Sequence, residues 1–576
     1  MTDPILTLID TAGIQGYIFG SNVLRENIGA SELVHRATRL WPFEVVASLG
    51  RTNVGGEHKT GDVPELDSDL WFERDNLDAE VLFAGGGNCA ILFRSLERGA
   101  HPFATALSRR LLERAPGLEL VLVHVPRSGG ESLAVLVERA FEELGRKKAD
   151  RRVSVPLLGQ GTTVACRSTG LPAVGTDADD PGRPPTEAPR PLSAPILAKL
   201  KAVEEAEHRL REPLDDFPRL DLTIPRDLDR FGRRTGDISY IAVVHADGNG
   251  MAGRLQRLRG EPALRADDRA FIEELRRFSR SVERSGSVAL REVAQLLLRG
   301  HRAASTNAER RQLIVEELPA AGPAIQTVQA LRPREIVLAQ HDAKTYIPFR
   351  PLVFGGDDTT FVTDGRLGLV LAVEWLRAFE RESAQAESRY ARGLTASAGV
   401  AIVKVHYPFA RAYELAEDLC RSAKDGWNRE HSALDWHIAS SGLLGRIGQI
   451  RAREYQPEAG QLHMRPLSLR RVPTAPQPWR SWEAFAPVSE ALRFDDAWRD
   501  RRNKVVALRQ ALRAGPGTVE HFRSAFRIDA LPLLDASFTA LQTSGWDGAG
   551  RCGYFDCIEA MDFYFPLERR KETSRS

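Results

Sequence analysis

The sequence predicts an α+β protein in which one sheet-and-helix layer domain occurs twice, followed by a helical C-terminal part. Three observations carry this. Runs of β-forming residues alternate with helical spacing in the order β, α, β-hairpin, α, β, α, first over residues 1–150 and again over 236–435. Each copy has a glycine-rich hairpin tip, GGGN at 85–88 in the first and GGDD at 355–358 in the second. A proline-rich stretch separates the copies.

The elements follow in order. PILTLID, 4–10, reads as a strand, and a long segment from about Asn22 to Leu49 has helical spacing. VLFAGGGNCAILF, 81–93, reads as two strands joined by a glycine turn. A helix fits 101–115, a strand LELVLVHV fits 118–125, and a helix fits 132–146. Residues 171–195 hold seven prolines among glycines and acids and read as a linker or disordered loop. The second copy begins with SYIAVVHAD, 239–247, then a helix at 266–302 and a further strand at 335–341. RPLVFGGDDTTFVTD, 350–364, is its hairpin; a helix at 366–389, a strand TASAGVAIV at 395–403 and an amphipathic helix at 409–425 complete it. This is an internal duplication at domain scale. Residues 151–235 lie between the copies, and 436–576 form a C-terminal extension in which 485–514, 517–527 and 529–543 read as a small helical bundle.

Composition narrows the class. The chain has 576 residues, enough for about three to four domains, and 42% hydrophobic content with 27% charged residues is that of a globular protein. There is no apolar run long enough for a membrane span. MTDPILTLID lacks a basic leader region, so no signal peptide and a cytoplasmic location are expected. A net charge of +1 gives no global electrostatic reason to bind nucleic acid. Five scattered cysteines form no CxxC set, which argues against structural zinc, and Cys552 and Cys557 are expected to be buried thiols.

The chemistry centres on VFGGDDTTFV, 353–362. A turn needs glycine, but it does not need Asp357 beside Asp358. Adjacent like charges are tolerated where a divalent metal neutralises them. Gly355 and Gly356 let the backbone turn tightly and leave room for a nucleotide. Side chains alternate along a strand, so both carboxylates reach one ion only if the turn distorts the pleat. Asp247, ending the first strand of the second copy, is placed to supply a third carboxylate. The loop after it, Gly248-Asn249-Gly250, leads into a helix and offers backbone N–H groups to phosphates. Lys424, at the end of the amphipathic helix, is placed to neutralise a terminal phosphate, and Ser397 to line the nucleotide pocket. The dipeptide His341-Asp342 lacks the further histidines of a metal-dependent hydrolase and is read as incidental.

Several stretches together point to a family. TAGIQGYIFGSNVLRENIGASELV at 11–34, VACRSTGLPA at 164–173, HADGNGMAG, FGGDDTTF, the segment from TASAGV to AKDG, ALDWHI, and LHMRPLSL at 462–469 occur in one order over about 1–470. In this they resemble the large Palm-domain subunit of type III CRISPR effector complexes, itself related to nucleic-acid polymerases and GGDEF-type nucleotide cyclases. The resemblance implies two ferredoxin-like Palm domains facing each other, with two ATP molecules between them. It implies that ATP is polymerised into cyclic oligoadenylate, a second messenger of antiviral defence, with two Mg²⁺ or Mn²⁺ ions held by Asp247, Asp357 and Asp358. Lys424 matches the phosphate-contacting lysine of the cyclases. The first Palm is expected to be degenerate, with Gly85, Gly86, Gly87 and Asn88 on its side of the nucleotide space. Guide RNA, target RNA and other type III subunits are the implied partners.

The chain departs from the family in three ways. It opens directly in the first Palm where many members have an HD nuclease domain, so no HD-type DNase activity is expected. Asn249 stands where the family often has a second acid, which removes a charge from the metal site. One cysteine, Cys166, stands where some members have a metal-binding set. Two other functions compete with the cyclase: a non-catalytic scaffold in an RNA-guided complex, and a free-standing cyclic-dinucleotide synthase. Both Palms within one chain is the simpler pairing; a two-fold homodimer with facing GGDD turns is the alternative.

Overall fold

The structure, a computed structural model, describes residues 3–567 apart from 56–62, 152–158, 160, 181, 184–187, 215, 220, 232–238, 304–310, 315–334, 342–343, 440–444, 496 and 499–501. Asp342 of the His341-Asp342 dipeptide and part of the proline-rich stretch therefore lie outside the described residues.

The first copy contains β1 (Ile5–Ala12), α1 (Leu24–His35), β2 (Ala79–Gly85), β3 (Asn88–Phe93), α2 (His101–Arg114), β4 (Glu119–Pro126) and α3 (Leu133–Ala149). Its sheet has the order β2-β3-β1-β4, antiparallel throughout. After α4 (Val203–Leu214) the second copy supplies β5 (Tyr240–Gly248), α5 (Met251–Gly260), α6 (Asp268–Gly300), β6 (Phe349–Val353) and β7 (Thr359–Asp364). It continues with α7 (Gly368–Ser383), β8 (Ala396–Lys404), α8 (Phe409–Gly426) and β9 (Ala433–Ile438). Its sheet runs β6-β7-β5-β8-β9-β10, with β10 at Leu467–Ser468. The first four strands repeat the order of the first copy, so the duplication predicted from pattern is present in topology.

Three boundaries differ from expectation. The second copy does not end at 435: β9 pairs in parallel with β8, and β10 adds beyond it, so its sheet runs into the expected C-terminal extension. A six-residue apolar run carries no signal for which sheet it joins. The 171–195 stretch is not simply a loop. Gly175–Thr176 pairs with Pro191–Leu192, Asp177 is buried against Arg190, and Asp180 takes a two-pronged bond from Arg25 of α1. Ion pairs hold its described residues in spite of the prolines among them. In the C-terminal part, the predicted 485–514 segment divides into α9 (Trp482–Phe494) and α10 (Arg502–Ala514), and α11 (Pro516–Phe526) forms as expected. The predicted 529–543 helix is reduced to α12 (Thr539–Ser544).

Alternation along β5 assigns its two faces. Ala242, Val244 and Ala246 join the core that also holds α6 and α7, while Ile241 and Val243 join the core beneath α8. Each of these two cores contains residues of both copies, so the copies pack on each other within one chain. Phe19 of the first copy stacks on Tyr413 of α8 with ring centroids 3.7 Å apart.

Helix α6 ties the hairpins together. The Asp267 side chain accepts from the backbone N–H groups of Arg269 and Ala270 and starts the helix. Buried Arg276 donates to the carbonyls of Val81 and Leu82 and to Glu80, which fixes β2. Farther along, a Cβ on Gly286 would stand 1.9 Å from the Gly356 carbonyl oxygen, and one on Gly85 would stand 2.6 Å from the Ser279 hydroxyl. Ser279 and Gly286 are two turns apart, about 10 Å along the axis, so one helix carries both glycine turns. No helix among the described residues is long and apolar enough to cross a membrane. All five cysteines are free and buried.

Truncating the stacked ring that joins the copies tests this packing. Phe19→Ala should cost about 3–5 kcal/mol, read as a lowered urea midpoint of unfolding; an unchanged midpoint would mean the copies are held by other contacts.

Candidate functional site

The face of β5 that carries Ile241 and Val243 continues to His245 and Asp247, so both point toward α8. The heptad spacing of Glu417 and Lys424 on α8 meets them there. Lys424 Nζ lies 2.5 Å from Asp247 Oδ2 and 3.0 Å from the Gly248 carbonyl oxygen. Lys424 is buried, whereas 37% of the Asp247 side chain is exposed.

The GGDD turn arrives from the neighbouring hairpin. Thr359 pairs with Ala246, so the register carries Asp358 alongside Asp247. Gly355 and Gly356 have φ of 108° and 114°, a region that side chains rarely adopt, and β6 slips register between Pro351 and Val353. This distortion brings both aspartates within electrostatic reach of Asp247, against simple alternation. Gly248 makes the approach feasible: a Cβ there would stand 2.8 Å from the Asp357 Cβ.

The carboxylates raise one another. The Asp357 carboxyl is pushed up to about 7 by burial, then by the charges of Asp247 and Asp358. Asp358 is pushed up to about 8 by the enclosing walls and then by Asp247, with Glu417 adding to it. Its side chain is 52% exposed, so the repulsion from Asp247 is the part of that cause which survives contact with water. His245 Nδ1 is 3.5 Å from Asp358 Oδ1 and 3.1 Å from the Thr360 hydroxyl. Burial holds the imidazole below its ordinary value, so it contributes no full charge.

Three acids thus share one lysine. Among the described residues no three His, Cys, Asp or Glu side chains already stand in metal-binding geometry. The Lys424 ammonium holds the Asp247 carboxylate instead. The donor set, three carboxylates beside a backbone carbonyl, is the hard-oxygen chemistry of Mg²⁺ or Mn²⁺, and its unrelieved repulsion fits a cation.

The other predicted residues fall in different places. Asn249 and Ser397 lie beneath the surface. The Ser397 hydroxyl donates to Asn249 Oδ1, and Asn249 Nδ2 donates to the Thr395 hydroxyl and the His431 carbonyl. Every polar atom of that amide is engaged, so the expectation that Asn249 and Ser397 face a nucleotide is corrected: they brace the loop that carries Asp247. The Asn249 backbone N–H is likewise spent on the Thr395 carbonyl, while Gly250, with φ of 69°, is exposed where α5 begins. Gly85, Gly86, Gly87 and Asn88 form the matching turn of the first copy on the same helix α6. His341 borders a separate recess of about 1710 Å³ that touches none of the acids.

Sequence reasoning missed His245, Glu417 and Arg209. His245 stands two residues before Asp247 and Glu417 seven before Lys424, so periodicity could have found both. Arg209 of α4 lies 4.0 Å over the ring of Phe354, next to the turn, and bonds Glu32 at 2.9 Å. Only the packing of α4 brings it there.

Residues 240–433, which hold all the acids and Lys424, match the family model for Cas10/Cmr2, second palm domain. Among solved structures the chain is similar to a Csm1–Csm4 cassette in complex with AMPPNP, at 14% identity and a TM-score of 0.48, covering 97% of this chain and 69% of that one. A Csm1–Csm4 cassette in complex with cA4 matches with the same values. Csm1 in T. onnurineus matches at 13% identity and a TM-score of 0.47, covering 98% and 70%. No curated protein matches.

Replacing one of the mutually repelling carboxylates by its neutral isostere tests the electrostatics. Asp357→Asn should raise the unfolding midpoint of the protein in EDTA, by a free energy on the order of 1 kcal/mol. A fall would show that the carboxylate is already satisfied in the protein without metal.

Proposed function

We propose that the chain is a nucleotidyltransferase of the palm type that condenses ATP into cyclic oligoadenylate, acting as a subunit of a type III CRISPR defence complex. The observation that carries this reading is the convergence of Asp247, Asp357 and Asp358 on a glycine-shaped turn, inside a segment that matches a Cas10/Cmr2 second palm.

Asp247, Asp357 and Asp358 are the residues that would hold Mg²⁺ or Mn²⁺. Such ions supply charge neutralisation at the attacking hydroxyl and at the departing pyrophosphate. Gly355 and Gly356 keep side chains out of the space over the turn, so a triphosphate can lie against backbone. Lys424 leaves Asp247 for a phosphate oxygen once the acids are neutralised, a shift its long, flexible stem allows. Asn249 and Ser397 hold the Asp247 loop in place while this happens. His245, short of a full charge and bonded to Thr360, limits where the Asp358 carboxylate can turn.

In each cycle the 3′-hydroxyl oxygen of one ATP bonds to the α-phosphorus of the next, and the bond from that phosphorus to pyrophosphate breaks. The hydroxyl proton leaves to the water that reaches Asp358. The same attack by the terminal 3′-hydroxyl on the first nucleotide's α-phosphate closes the ring, so each adenylate incorporated releases one pyrophosphate. Both copies lie in one chain and share two cores, so a homodimer is not needed to build the nucleotide space. Guide RNA, target RNA and other type III subunits are the partners this reading assigns, and the cytoplasm is where they would meet.

Incubation with ATP, GTP or both and Mg²⁺ or Mn²⁺, with products read by mass spectrometry, tests it. The wild-type chain, given its partner subunits and target RNA, should yield cyclic oligoadenylate. Asp357→Ala/Asp358→Ala should lower the yield about 100-fold or more. No product from any nucleotide under these conditions would contradict the reading.

A further inference from the structure

The helix that carries Lys424 ends against the C-terminal extension. Lys424 is the sixteenth of the eighteen residues of α8, and its backbone carbonyl accepts from the N–H of Arg429 at 2.9 Å, which closes the helix. Asn428 and Arg429 both have left-handed backbone, at φ 51° and 61°. Two successive non-glycine residues in that region are costly, so the turn from Trp427 to Ser432 needs its surroundings to hold it.

Those surroundings lie on two sides. On the side of the acids, the His431 carbonyl accepts from the Asn249 amide, and the Ser432 hydroxyl accepts from the backbone N–H of Ala396, which pairs with Gly248. The turn is thereby fixed to the loop that follows Asp247. On the other side stands the segment from Met464 to Pro466. The Trp427 indole N–H donates to the Pro466 carbonyl at 3.2 Å, and a Cβ on Gly426 would stand 2.5 Å from the Pro466 ring. Arg480 spans both: its guanidinium lies 5.8 Å from the centre of the Trp427 ring and donates to the carbonyls of Met464 and Pro466 at 2.7 and 3.1 Å. Asp556, near the end of the described chain, accepts from the backbone N–H groups of Met464 and Arg465 at 2.8 and 3.0 Å. Trp427 is 8% exposed, and Arg465 and Asp556 are fully buried, so this clamp is shielded from water.

The preceding turn of α8 is held from the same direction. The Ser422 hydroxyl donates to Asp435, and Arg451 grips that carboxylate with two N–H groups. Residues that touch neither an acid nor the ammonium thus set where the Lys424 backbone stands. The lysine stem is flexible, but its reach starts from a backbone that the C-terminal extension fixes.

We infer that Trp427 is a positioning residue: through its bond to Pro466, the C-terminal extension sets the place of Lys424 beside Asp247, and with it the position from which the ammonium meets a phosphate. The inference rests on the nucleotidyltransferase reading and adds what the C-terminal extension does for that site.

A double-mutant cycle tests it, read by calorimetric titration of the full chain with a non-hydrolysable ATP analogue in Mn²⁺, with cyclic product measured on the same proteins. Lys424→Met should weaken the Mn²⁺-dependent binding about tenfold or more. Trp427→Phe, which keeps a ring and loses the N–H, should weaken it about fivefold, and should weaken it no further once Lys424 is replaced by Met. Gly426→Ala, which wedges the helix end away from Pro466 without removing a hydrogen bond, should reproduce the Trp427→Phe loss and serves if that variant does not fold. Wild-type binding by Trp427→Phe and Gly426→Ala overturns the inference. So does a Trp427→Phe loss of the same size with and without Lys424, which is what a merely structural tryptophan would give. Coupled losses in a chain that makes no product with its partner subunits and target RNA support the positioning and overturn the proposed function. No Mn²⁺-dependent binding by the wild-type chain overturns both.

Discussion

Three carboxylates and one ammonium occupy the end of β5, and much of the second copy is arranged so that they can meet. Burial, and then the repulsion among Asp247, Asp357 and Asp358, pushes the last two toward neutrality, and Lys424 compensates for one charge. The surrounding structure holds them together. Gly286 admits the turn against α6, Gly248 admits Asp357 against β5, and the twin positive-φ glycines bend the chain over both. Charges that destabilise a fold persist where function needs them, and the proposed function gives these acids that need.

The duplication explains why the two copies can differ in chemistry without differing in fold. Each keeps a strand-end aspartate, a left-handed glycine three residues later and a lysine sixteen residues into its last helix. They differ at the hairpin tip, where GGGN carries no acid and GGDD carries two. Because α6 touches both turns two helical turns apart, any displacement of that helix moves both together. Phe19 against Tyr413 and Arg276 against β2 then set the spacing between them.

Much of this was legible in the sequence for local reasons. Strand periodicity and the paired glycine turns located both copies, and the adjacent Asp357 and Asp358 marked the hairpin tip that the fold brings beside Asp247. Asp247 and Lys424 followed from their places at element ends, and the structure brings them into contact. What was not legible depends on partners distant in the chain. Asn249 and Ser397 read as nucleotide contacts because a loop amide and a strand hydroxyl look available; only the fold shows them bonded to each other, to Thr395 and to His431. The pairs of Arg25 and Arg190 with Asp180 and Asp177 in the proline-rich stretch are ones that composition cannot reveal. Membership of β9 in the second sheet is decided by the exposed edge of β8, which periodicity does not see.

The most direct test of the account is where a divalent ion sits. Crystals grown with Mn²⁺ and an ATP analogue, examined by anomalous diffraction, would locate it. The account predicts an anomalous peak coordinated by Asp247, Asp357 and Asp358, with the Lys424 ammonium moved from Asp247 onto a phosphate oxygen. A peak held by other residues, with the Lys424–Asp247 pair undisturbed and the nucleotide away from the GGDD turn, would contradict it.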